Sequence, residues 1–93
     1  MNRPRRHRIA IEREIDIPVF AWPVWRRVCE TWAEIHGDLI TIRHKPDLFP
    51  GMRVKVGPDY FEIVGVVDRL GKPRLTELHI TRASSSMHDA LAG

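Results

Sequence analysis

The chain has 93 residues, 43% hydrophobic and 29% charged, which allows one small folded domain and excludes both wholesale disorder and a second core. Its formal charge of +3 is unevenly placed: Arg3, Arg5, Arg6 and Arg8 are four of the 15 basic residues, so the 11 that remain from Ile9 onward face 12 acidic ones. The body is near neutral and the basic excess is an N-terminal arm, which argues against a barrel whose own surface is a nucleic-acid groove.

No apolar run approaches the roughly 20 residues needed to span a bilayer, and the opening Met1-Asn2-Arg3-Pro4-Arg5-Arg6 lacks the apolar stretch of a signal peptide. The protein is expected to stay in the cytoplasm where it is made, without a membrane partner. The single cysteine, Cys29, has no second thiol for a disulfide or for a structural zinc site. It is expected to be a buried small apolar residue.

In chain order, Ile9 and Ile11 alternate with charged groups over residues 7–13, the period of two of a half-buried strand. Residues 23–35 are ambiguous. Trp25, Val28, Cys29, Trp32 and Ile35 fall at helical spacing, with Pro23 suited to a first turn and Gly37 to a stop, so periodicity alone predicts a helix. Alternation returns over residues 39–44, with Ile40 and Ile42 inward, and over residues 52–56, with Met52, Val54 and Val56 inward. Residues 60–67 are apolar on both faces and are expected to form the most buried strand, with Gly65 marking a bulge or a close backbone approach. Residues 74–82 form a last strand with Thr76, Leu78 and Ile80 inward. Pro50-Gly51, Gly57-Pro58-Asp59 and Gly71-Lys72-Pro73 read as turns, so the second half is an antiparallel meander. Residues 83–93 are a small, polar tail.

Chemistry-bearing clusters are sparse. His7, His36, His44, His79 and His88 are scattered, and only His36-Gly37-Asp38 brings two metal ligands close, one short of a site. No nucleophile with its base, Gly-rich phosphate loop or paired-carboxylate motif has supporting context. Ser84, Ser85 and Ser86 fall in the tail, and Asp47, Asp59 and Asp68 sit at expected turns. The expectation is a protein that is not an enzyme and uses no cofactor. Trp25 and Trp32 are expected in the core, with Trp22 on a loop as an interface anchor, since Trp is enriched at binding hot spots.

The order and spacing of these elements resemble the phage head-tail joining family, also called head closure or stopper proteins. The resemblance rests on Arg6-His7-Arg8-Ile9-Ala10-Ile11-Glu12-Arg13, Trp25-x-x-Val28-x-x-x-Trp32-Ala33-x-Ile35, Ile40-Thr41-Ile42-Arg43, Phe49-Pro50-Gly51-Met52-Arg53-Val54, Phe61-Glu62-Ile63-x-x-Val66-x-Asp68 and a strand through Leu78. It spans residues 6–82 and implies a small β-barrel or sandwich assembled as a dodecameric ring on the adaptor beneath the portal, surrounding packaged DNA and docking the tail. It also implies a bent strand, not a helix, at Trp25 to Ile35. Relatives carry a longer segment where this chain has only His36-Gly37-Asp38-Leu39. If that insertion supplies the channel plug in relatives, this chain closes the channel otherwise or not at all.

The reading is therefore a mostly β protein, an antiparallel barrel or sandwich, with a short helix over residues 24–35 as the alternative for that segment. Residues 1–6 form a basic arm, 7–82 the domain and 83–93 a tail. The expected role is a head closure subunit of a tailed phage or phage-like particle, made in the host bacterial cytoplasm and located in the virion. Its expected partners are its own copies in a ring, a portal-attached adaptor and a tail protein. Arg3, Arg5, Arg6 and Arg8 would face channel DNA or a neighbouring subunit, binding phosphates without reading sequence. Trp22, Leu48 and Phe49 would contact neighbouring subunits. The alternatives are a free-standing nucleic-acid-binding barrel, or a related adaptor or tail-terminator role.

Overall fold

The computed structural model describes residues 6–15 and 24–82. Six strands, β1 (Arg6–Ile15), β2 (Val24–His36), β3 (Leu39–Arg43), β4 (Arg53–Val56), β5 (Asp59–Arg69) and β6 (Leu75–Arg82), close into one antiparallel barrel in the order β1-β2-β3-β6-β5-β4. Two three-stranded meanders, β1 to β3 and β4 to β6, are sewn together by the β1/β4 and β3/β6 ladders. The tight connections follow from glycine placement. Gly37 (φ 61°) and Gly57 (φ 58°) open the loops between His36 and Leu39 and between Val56 and Asp59, the position at which a two-residue hairpin loop needs positive φ.

Alternation sets the core. Ile9, Ile11, Ala33, Ile40, Ile42, Met52, Val54, Ile63, Leu78 and Ile80 fill the interior, with Cys29, Ile35, Leu48, Val56, Phe61 and Val66 packed around them. Full burial of one such Ile or Leu is worth about 1.5–3 kcal/mol. A six-stranded barrel is narrow, and branched aliphatics fill it without an indole. Thr76 is the one buried polar residue among the described residues, and its hydroxyl donates to Asp68 Oδ1 at 3.1 Å.

Among the described residues there is no helix, which overturns the helical reading of residues 24–35. The physical reason is a bulge. Ile11 pairs with Cys29 and Glu12 with Arg27, so Val28 is an extra residue in β2. Cys29, Thr31, Ala33 and Ile35 alternate inward up to that point, after which the pattern slips by one and mimics helical spacing. The ten-residue ladder with β1 supplies the hydrogen bonds a helix would have kept to itself.

The expectation that residues 60–67 form the most buried strand also fails. Ile63 is fully buried, but Val64 and Val67 face solvent, because none of the described residues forms a second layer over the outside of the barrel. The expected bulge is present: the register with β6 shifts between Ile63 and Gly65.

The ladders stop at different heights. β2 pairs with β3 only over Ala33 to His36, so from Val24 to Trp32 it has β1 on one side and no strand on the other among the described residues. β4 begins at Arg53, and the last contact on that side of β5 is Gly51 N–H to Ile63 O at 2.9 Å. Beyond it, Val64 to Arg69 have β6 alone among the described strands. The β1–β2 and β5–β6 hairpins thus run on past the closed barrel, and the described residues extend 47 × 27 × 18 Å.

Candidate assembly surface

The densest cluster of charged and aromatic side chains among the described residues lies on the outside of the barrel. Residues paired across strands share a face, so Glu12 on β1 and Arg53 on β4 stand together outside. Arg53 Nε donates to Glu12 Oε1 at 2.6 Å, and both side chains are largely shielded. The shield is aromatic: the Arg53 guanidinium lies 4.3 Å from the Trp25 ring centre and 4.1 Å from that of Tyr60, with Lys55 Nζ 5.6 Å from the same Tyr60 ring. One guanidinium therefore ties the extended part of β2 to β4 and β5, which fixes the angle at which the β1–β2 hairpin leaves the barrel. Trp25 is placed here and not in the core.

Trp32 corrects the sequence reading more sharply. It is 55% exposed, because its neighbour Ala33 points inward and Trp32 must point out. Its in-register partner Arg8 stacks on it at 5.5 Å and lies 3.8 Å from Glu30, which also binds Arg27 at 3.2 Å. Arg6 stands exposed at the start of β1, one residue inside the expected arm. Arg3, Arg5 and Trp22 lie outside the described residues, as does the tail.

The loop from His44 to Met52 crosses from β3 to β4. His44 N–H donates to Arg74 O at 3.1 Å, and His44 Nδ1 lies 3.2 Å from Asp68 Oδ1 and 3.3 Å from Thr76 Oγ1. Arg74 approaches the other Asp68 oxygen at 3.6 Å. Asp68 is therefore inside β5 anchoring this loop, not at a turn as expected from sequence. Leu48 turns back onto the core, whereas Phe49 remains 48% exposed. Among the described residues His36 meets only Glu34, at 4.0 Å. Among the described residues no three His, Cys, Asp or Glu side chains gather into a metal site.

Cys29 is half-buried, and burial pushes its thiol above the ordinary range while the charge of Lys45 opposes that shift. Sequence reasoning missed the Arg53 cluster entirely. The alternation of residues 52–56 placed Arg53 outward, but its partners come from three other strands, and only register brings them together.

These features define a class: a small closed β-barrel with two extended hairpins, whose described residues gather charged and aromatic side chains on the outer face and no cluster of three metal ligands. Neither a family model nor a curated protein matches this sequence. Among solved structures, the chain is similar to one in a virion of a native gene transfer agent (GTA) particle, with a TM-score of 0.59 and 21% identity over 87% of this chain and 100% of that one. At that identity the likeness shows a common fold.

Proposed function

We propose that this chain is a structural subunit of a tailed phage or phage-like particle, and that its place is the head closure ring between the portal-bound adaptor and the tail. The observation that carries this reading is the shared barrel: a chain of a gene transfer agent virion matches over its entire length and over 87% of this chain. The mechanism is geometric. Copies arranged head to tail close into a ring when the rotation between them permits, and the ring narrows the channel through which DNA leaves. Arg3 and Arg5 of the N-terminal arm, with Arg6 and Arg8 at the start of β1, supply phosphate contacts to that DNA, and the opposite face receives the tail. With only Gly37 and Asp38 between β2 and β3, no plug is offered by that turn, so the ring retains DNA through its arms or another loop.

The test is deletion of the coding sequence in a particle-producing host, followed by electron microscopy and peptide mass spectrometry of the particles. The expected result is heads that fill, lose their DNA and carry no tails, with the chain present in wild-type particles between head and tail. Intact tailed particles made without the chain refute the reading. Tails of abnormal length on sound heads would reassign it to a tail-terminator role.

A further inference from the structure

The inward alternation of the β1–β2 hairpin runs on past the mouth of the barrel. On β1 it passes through Ile11, Arg13 and Ile15, and in register with them on β2 stand Cys29, Arg26 and Val24, the Val28 bulge lying between Cys29 and Arg26. Glu12 and Trp25 point the other way, to Arg53, which sets the two arginines on the inner face. The β1/β4 ladder ends at Glu12, so Arg13 and Arg26 stand just beyond the closed barrel, directly opposite each other and both exposed. Like charges at such a position, with Cβ atoms about 4.5–5.5 Å apart, repel. Elsewhere on this hairpin a carboxylate offsets the charge, as Glu30 does for Arg8 and Arg27. Here the four neighbours on the same face, Ile11, Ile15, Cys29 and Val24, carry none. Neither arginine has an ion-pair partner among the described residues. The charge of Lys45 is felt at Cys29, which makes this face more positive still.

We propose that the cross-strand pair Arg13 and Arg26 is a phosphate-binding site, filled by backbone phosphates of duplex DNA. The ligand class follows from the side chains. Each guanidinium offers a planar fork of N–H donors that matches an oxyanion, and two forks side by side on a paired ladder can close on one phosphate or on two neighbouring ones. An anion between them turns their mutual repulsion into two attractions. The choice of DNA as the source of the phosphate rests on the ring reading, in which DNA passes through the channel. The site adds a contact on the folded hairpin to those of the arm. Arg8, by comparison, already stacks on Trp32 and faces Glu30, so it has competitors for its charge.

The experiment is a salt titration of duplex DNA binding by the full chain, followed by fluorescence anisotropy. The full chain is needed because Arg8 and the pair alone are too few contacts for a truncated monomer to bind measurably. Each phosphate contact contributes a slope of about −0.9 in log K against log salt, so Arg13→Thr combined with Arg26→Thr is expected to make the slope shallower by about 1.8. Thr suits a strand, and circular dichroism checks the fold. Lys72→Thr combined with Arg82→Thr removes the same charge from exposed positions elsewhere, and is expected to change the slope by less than one contact. An unchanged slope for the arginine pair, or an equal change for both pairs, overturns the proposal. Nuclear magnetic resonance identifies the anion: the Nε–H signals of Arg13 and Arg26 are expected to shift with the duplex, and far less with inorganic phosphate or polyglutamate at matched charge. Equal shifts with either of those overturn the assignment to DNA. If the slope changes as expected while the chain is missing from particles, the ring reading falls and the phosphate site stands. If the chain sits between head and tail but the slope is unchanged, the phosphate site alone falls.

Discussion

Replacing Arg53 by Ala is the most informative perturbation of the barrel, because one side chain makes three contacts to three different strands. The hydrogen bond to Glu12 at 2.6 Å is charge-assisted and shielded, a setting in which such a bond contributes about 1.5–3 kcal/mol. Each stacking contact, to Trp25 at 4.3 Å and to Tyr60 at 4.1 Å, adds about 0.5–1 kcal/mol where solvent is partly present. Since about a quarter of the Arg53 side chain remains exposed, the lower half of these ranges applies, and Arg53→Ala is expected to cost about 3 kcal/mol. For a domain of this size that lowers Tm by about 12–24 °C, a large share of a stability of about 5–15 kcal/mol. Arg53→Lys keeps the charge on Glu12 and loses the flat stacking surface, so about half of that loss is expected. The assay is urea and thermal unfolding followed by circular dichroism and tryptophan fluorescence. A double-mutant cycle of Arg53→Ala with Trp25→Ala should return a coupling of about 0.5–1 kcal/mol. A loss below about 0.5 kcal/mol for Arg53→Ala, the level of an ordinary surface change, together with no coupling to Trp25, refutes the claim that this cluster fixes the hairpin to the barrel.

Three further outcomes are expected. Ile11→Ala, at a fully buried site, costs about 2–5 kcal/mol, whereas Trp32→Ala costs less than about 1 kcal/mol because that ring holds only an exposed arginine. The same unfolding experiments check both, and a Trp32 loss equal to that of Ile11 contradicts the assigned faces. The Cys29 thiol, raised by burial, holds less thiolate at pH 8 than a free cysteine, so it reacts more slowly with iodoacetamide. Lys45→Ala slows it further, since the opposing positive charge is gone, and a rate equal to that of free cysteine counts against the burial. On the channel reading, the isolated chain binds duplex DNA weakly, at about 10⁻⁴ M or poorer, without sequence preference and with a steep salt dependence. Removing residues 1–6 abolishes that binding in an anisotropy titration, and submicromolar, sequence-selective affinity that survives the truncation reverts the protein to a nucleic-acid-binding barrel.

The sequence by itself determined the parts of this protein that depend on near neighbours in the chain. Strict alternation at Ile9 and Ile11, Ile40 and Ile42, Val54, Leu78 and Ile80 places those side chains inside, because the side-chain period of a strand is a local property of the backbone. Gly57 marks a tight turn and Gly65 a bulge for the same local reason. What the tertiary structure decided is which strand lies beside which, and at what register. That choice made residues 24–36 a bulged strand against β1 when their own spacing favoured a helix. It set Trp25 on a guanidinium from β4 and left Trp32 in solvent beside Arg8. It also left β2 and β5 with open edges, since a ladder ends where its partner strand ends, and the lengths of β3 and β4 are legible only once the barrel has closed. Apolar residues on both faces of β5 looked like deep burial because a sequence records that a side chain avoids water, not whether its own barrel or another molecule supplies the shelter.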